Sequence, residues 1–137
     1  MVHALQLTRR ILHPNGLLIN VHDLPTPHVI EVHSLVSANK VGWLMDSEDF
    51  ENERSALNAL AQVVTDSYFI LEDERDFSHN IYVDDLNELQ EWLAESWTTA
   101  VLPERILQHL EELIRDAGQP AKIVLRLQAR MVKLRAA

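Results

Sequence analysis

Leu5-Gln6-Leu7-Thr8-Arg9-Arg10-Ile11-Leu12-His13-Pro14-Asn15-Gly16-Leu17-Leu18-Ile19-Asn20-Val21-His22-Asp23-Leu24 changes its hydrophobic period midway, and that change decides how the chain begins to fold. Ala4, Leu5, Leu7, Ile11 and Leu12 form a broad stripe at helical spacing, predicting a helix over about Val2 to Leu12. Pro14 and Gly16 stop it, and Asn15 tolerates the left-handed backbone such a turn requires. Leu17 to Val21 is too short for a further helix and nearly apolar on both parities, as a strand covered on both faces of an α/β sheet is.

Working outward, Pro25 and Pro27 break regular structure. Val29 to Val36 and Val41 to Met45 read as two strands of a hairpin joined at Ser37-Ala38-Asn39-Lys40. Ser47 is placed to cap the next helix, with Glu48, Asp49 and Glu51 where the helix dipole favours carboxylates. Phe50, Leu57, Leu60, Ala61 and Val64 mark the buried side of that helix. Tyr68 to Val83 is strand-like, with Phe69, Leu71 and Phe77 on one parity and Ile70, Glu72, Glu74 and Asp76 on a wet one. Asp85 with Glu88 forms an acidic capping box before Leu86, Leu89, Leu93 and Trp97. A further helix from about Pro103 buries Ile106, Leu107, Leu110, Leu113 and Ile114 and ends at Gly118 before Pro120. Ala121 to Leu134 closes the chain as a strand. The whole, residues 1–137, reads as a single mixed α/β domain.

With 137 residues and a hydrophobic fraction of 47%, there is material for a real core. The formal charge of -9 is uneven. Asp46 to Asp116 carries nearly all the carboxylates, whereas Lys122, Arg126, Arg130, Lys133 and Arg135 make a basic final segment. Those cations alternate with Ile123, Leu125, Leu127 and Met131, as on one face of a strand, so they are expected to meet nearby acidic helices rather than nucleic acid. The absence of cysteine excludes a disulfide framework, a zinc ribbon and a thiol nucleophile. No apolar run approaches the roughly 18 residues of a membrane span, and no signal-peptide pattern is visible, so a soluble, cytoplasmic protein with no membrane partner is expected.

Three stretches resemble a known family in order and spacing. Arg10-Ile11-Leu12-His13-Pro14-Asn15-Gly16-Leu17-Leu18 is similar to the turn before the fifth strand of class I S-adenosylmethionine-dependent methyltransferases. Phe69 to Phe77 followed by Tyr82 to Leu89 resembles the sixth strand and the insertion after it. Ile123 to Arg135 resembles the last strand. The resemblance implies a partial Rossmann-like fold with strand order 5-7-6 plus a hairpin, helices packed on it, and the C-terminal strand antiparallel between Leu17–Val21 and Phe69–Phe77.

The family's glycine-rich cofactor loop and the acid that meets the cofactor ribose have no counterpart, since Gly16, Gly42 and Gly118 are isolated. The resemblance therefore implies a C-terminal half that binds no S-adenosylmethionine alone and does not methylate alone, unless a separate chain supplies the N-terminal half. It also implies that Leu17, Leu18, Ile19, Asn20 and Val21 lack a neighbour on one side. An uncharged apolar edge of that kind invites a second copy, so a homodimer is expected. The alternative is a dimeric interaction module binding a partner through the hairpin and Trp43.

Among chemistry-bearing residues, His22 and Asp23 end a strand that the resemblance makes parallel, where ligands gather in such folds. With Trp43, which could stack on a planar ligand, they are the substrate-facing candidates. His28, Glu31 and His33 are the types that hold zinc, iron or manganese, although their spacing matches no tight motif. A small metal-dependent enzyme using His22, His28 and His33 is a further alternative. No nucleophile-base-acid arrangement is visible, so the catalytic residues are unknown.

Overall fold

The computed structural model describes residues 1–117 and 120–137. Its elements are α1 (Val2–Ile11), β1 (Leu17–Asp23), β2 (His28–Ser34), β3 (Ala38–Asp46), α2 (Glu51–Thr65), β4 (Phe69–Val83), α3 (Leu86–Ser96), β5 (Ala100–Val101), α4 (Glu104–Ala117) and β6 (Ala121–Ala136). The strands hydrogen-bond in the order β1-β6-β2-β3-β5, and β4 also pairs with β6. The chain gathers into two compact units. The first holds Met1–Pro25, Phe50–Phe77 and Gln128–Ala137, and the second Thr26–Asp49 and Ser78–Leu127.

In the first unit the Pro14-Asn15-Gly16 turn behaves as its residue types require. Asn15 sits at φ 62, the Gly16 N–H donates to the His13 carbonyl at 2.8 Å, and a Cβ on Gly16 would stand 2.8 Å from that same oxygen. This tight return sets β1 antiparallel to the end of β6, from Leu17 opposite Arg135 to Asp23 opposite Ala129. Leu18, opposite the fully buried Leu134, joins a core of Leu5, Ala59, Leu60, Val63, Phe69 and Val132. Lys133 and Arg135 both meet Glu72, and Arg130 holds Asp76 at 2.6 Å and Glu74 at 3.6 Å. The second half of the basic strand is thus neutralised by acidic β4 and not by helices. Such exposed pairs are each worth under about 1 kcal/mol, so they favour a register more than they add stability.

The second unit is built on β2, whose Val29–Ser34 segment runs antiparallel to Ala121–Arg126 of β6. Ile30, Val32, Leu44, Leu89, Leu110, Ile123 and Leu125 form its buried centre. Gly42 lets α4 approach closely, since a Cβ there would lie 3.2 Å from Ile106 Cδ1. Asp46 accepts from Trp97 Nε1 and Thr99 Oγ1, both at 2.6 Å, and from the Glu48 N–H at 2.7 Å. One carboxylate therefore ties the end of α3 and the start of β5 to β3. Trp92 and Trp97 pack against this core. The capping box also forms, with the Glu88 N–H donating to Asp85 Oδ1 at 2.9 Å.

Four expectations are corrected. The sheet is not ordered 5-7-6: β6 is 16 residues long, long enough to pair β1 along its second half and β2 along its first, so the hairpin is hydrogen-bonded into the sheet. The Leu17–Val21 strand is not covered on both faces, because Leu17, Ile19 and Val21 are 49%, 60% and 57% exposed. The hairpin turns earlier than expected, at Leu35-Val36-Ser37: Ser34 Oγ accepts from the Val36 and Ser37 N–H groups, and the Ser34 N–H donates to the Ser37 carbonyl. A serine-stabilised turn thus overrides the strand preference of two apolar residues. Ser47 does not cap α2. Asp46 draws the chain into a turn there, and the helix starts after Phe50 at φ 57. The expected helix stop at Gly118 lies outside the described residues.

Leu110→Ala, which removes a fully buried side chain, is expected to cost about 2–5 kcal/mol in urea unfolding. Leu7→Ala, at a half-exposed site, should stay within about 0.5 kcal/mol.

Candidate binding surfaces

The histidines singled out in the sequence do not converge. His28 is buried with its ring 4.6 Å from that of Trp97. Glu31 and His33 do share one face of β2, and His33 Nε2 lies 2.6 Å from Glu31 Oε2. That carboxylate also accepts from Arg126 Nη2 at 2.9 Å. The His33 hydrogen bond is the main cause holding the Glu31 carboxyl below its ordinary range; burial opposes it and Arg126 assists. Glu31 is thereby committed to a structural pair with Arg126. Among the described residues, no three His, Asp or Glu side chains are grouped to hold a metal ion.

His22 belongs to a different cluster, in the first unit. Its Nδ1 lies 2.8 Å from Asn20 Oδ1, which makes Nδ1 the donor and leaves Nε2 with a lone pair. Nε2 is buried with no hydrogen-bond partner among the described residues. Burial, then the Arg130 charge, pushes the imidazole below its ordinary pKa, against the pull of Asp23 and Asp76. The imidazole is therefore held neutral, with its acceptor nitrogen shut away from solvent.

What remains on the surface is suited to contact. A groove of about 520 Å³ runs between α2 and the strands of the first unit, with Leu57, Ala61, Val64 and Leu71 on its walls and Glu74 and Arg130 at its polar margin. In the second unit Trp43 is 52% exposed, with Lys40 Nζ 3.4 Å above its ring centroid. Beside it a hollow of about 330 Å³ is lined by Val41, Gly42, Met45, Arg105, Ile106 and His109. The sequence pointed to Trp43 but not to Arg105 or His109. The turn residues Leu35 and Val36 are almost wholly exposed.

The strand edges differ in character. β4 carries Glu72, Asp73, Glu74, Arg75 and Asp76 in succession, which discourages association. β1 has no lysine, arginine, proline or acid from Leu17 to His22, and among the described residues it pairs only with β6. Its outward residues Leu17, Ile19 and Val21 stand opposite Arg135, Lys133 and Met131.

Acid should destabilise the protein through two groups. Glu31 is held below its ordinary pKa in the fold, so its contribution is complete above about pH 4.3 and is lost as pH falls through the lower folded value. Wild type should therefore exceed Glu31→Gln by about 1–3 kcal/mol at neutral pH, and the gap should narrow on acidification in urea titrations. His22 is held neutral, so its contribution is present above about pH 6.5 and declines as pH falls through its lowered value. His22→Asn should abolish that part of the pH dependence.

In comparisons with known proteins, the chain matches no family model, no curated protein and no solved structure.

Proposed function

We propose that this protein is an interaction module that works as a homodimer, its two copies joined edge to edge through β1. The observation that carries this reading is the pairing of an unoccupied, uncharged strand edge with the exposed side chains of Leu17, Ile19 and Val21. Antiparallel pairing of β1 with its copy about Asn20 would bring Ile19 opposite Val21 of the second copy and satisfy the free backbone groups of both. The acidic run on β4 disfavours the equivalent contact there. Like-charged copies repel at low ionic strength, so salt should strengthen the dimer. In this reading His22 and Asp23 close the end of the shared edge, and the protein binds no cofactor.

A methyltransferase-like C-terminal half is a second reading, favoured by the antiparallel pairing of β1 with β6. In it S-adenosylmethionine and the cofactor-binding half come from a separate chain. Titration calorimetry with S-adenosylmethionine tests this reading: no heat is expected from the chain alone, and micromolar binding would refute the claim that it lacks a cofactor site.

Sedimentation equilibrium should give a dimer for wild type. Ile19→Lys, which places two like charges near the twofold axis, should shift the mass to that of a monomer while urea stability of the monomer moves by no more than about 0.5 kcal/mol. A monomeric wild type would sink the dimer reading.

A further inference from the structure

A second open edge lies on β3. β5 pairs with β3 only at Met45 and Asp46, through Val101 and Ala100, and Pro103 then turns the chain into α4. Among the described residues the outer side of residues 38–44 has no strand beside it, a length of roughly 20 Å. The hollow beside Trp43 lies along this same edge, where Gly42 contributes no side chain and α4 presents Arg105 and His109.

Most cations of the molecule are neutralised, whereas two beside this edge are not. In a chain of net charge -9, Arg75, Lys122, Arg126, Arg130, Lys133 and Arg135 each hold a carboxylate. Among the described residues Lys40 and Arg105 hold none, as do Arg10 on α1 and Arg115 near the end of α4; at this edge Lys40 rests on the Trp43 ring, and Arg105 is exposed. Two cations left unneutralised beside an open strand edge and an exposed indole match an extended ligand that carries carboxylates.

We propose that the outer edge of β3 is a docking site for an extended acidic segment of a partner protein, added as one further strand. The backbone of that segment pairs with β3, its acidic side chains meet Lys40 and Arg105, and an apolar side chain enters the hollow against Trp43. This edge is separate from β1, so the proposal does not depend on the dimer.

The test is an NMR titration of the ¹⁵N-labelled full chain with two end-blocked peptides, Thr-Val-Glu-Val-Asp-Val-Thr and its lysine counterpart Thr-Val-Lys-Val-Lys-Val-Thr. The acidic peptide should shift the amide signals of residues 39–44 and slow their hydrogen exchange, and the lysine peptide should not. The double variant K40E/R105E, altered only at surface positions and checked for an unchanged circular dichroism spectrum, should weaken acidic-peptide binding about tenfold or more and favour the lysine peptide. Equal binding of both peptides, shifts confined to other elements, or no shift at millimolar acidic peptide would each overturn the proposal.

Discussion

The backbone ladder along β6 is the constraint on which the remaining structure depends. Sixteen consecutive residues in extended conformation carry hydrogen-bonding groups along both sides, and burying them is tolerable only if they are paired. β1 satisfies Ala129–Arg135, β2 satisfies Ala121–Arg126, and β4 provides a further partner. Every helix then has a sheet surface on which to bury its stripe. Loss of this strand would leave Leu18 and Val32 without the neighbours Leu134 and Ile123 that stand opposite them.

The polar residues of the chain are mostly used to hold this arrangement. Glu31 gathers His33 and Arg126, Asp46 gathers Trp97 and Thr99, and Glu72 gathers Lys133 and Arg135. Each acceptor holds at least one donor from a distant part of the sequence, which is how a buried or half-buried carboxylate avoids the cost of lost hydration. Glu31 and His33, which looked chemical in isolation, are thus paired with each other, and Glu31 with Arg126. Among the described residues the exposed features include strand edges, the Trp43 indole, and Lys40 and Arg105, which hold no carboxylate.

Much of the secondary structure was legible. The helical stripes before Pro14 and after Asp85, the turn at Asn15-Gly16 and the long final strand follow from spacing, capping and backbone preference, all of which act within a few residues. The hairpin turns earlier than the strand preference of Leu35 and Val36 suggests because Ser34 supplies competing hydrogen bonds. The start of α2 was misplaced because Asp46 also answers to Trp97 and Thr99, some fifty residues away. Of the candidate surfaces, Trp43 stood out in the sequence as an aromatic in a hairpin, and Leu17 to Val21 as an apolar strand whose open side only the family resemblance implied. Arg105 and His109 did not, since nothing in a helix sequence tells which strand edge the helix will border.

By itself the sequence determined where the helices and most strands lie, the absence of thiol chemistry, and the opposition of an acidic middle to a basic end. These are properties of composition and of local period. Only the tertiary structure decided that β6 would pair both β1 and β2, that Arg130, Lys133 and Arg135 find their acidic partners on β4 and Arg126 on β2, and that the histidines form no common group. Those outcomes rest on hydrogen bonds and charges between residues far apart in sequence, and their pairing is settled by register, which no local pattern encodes.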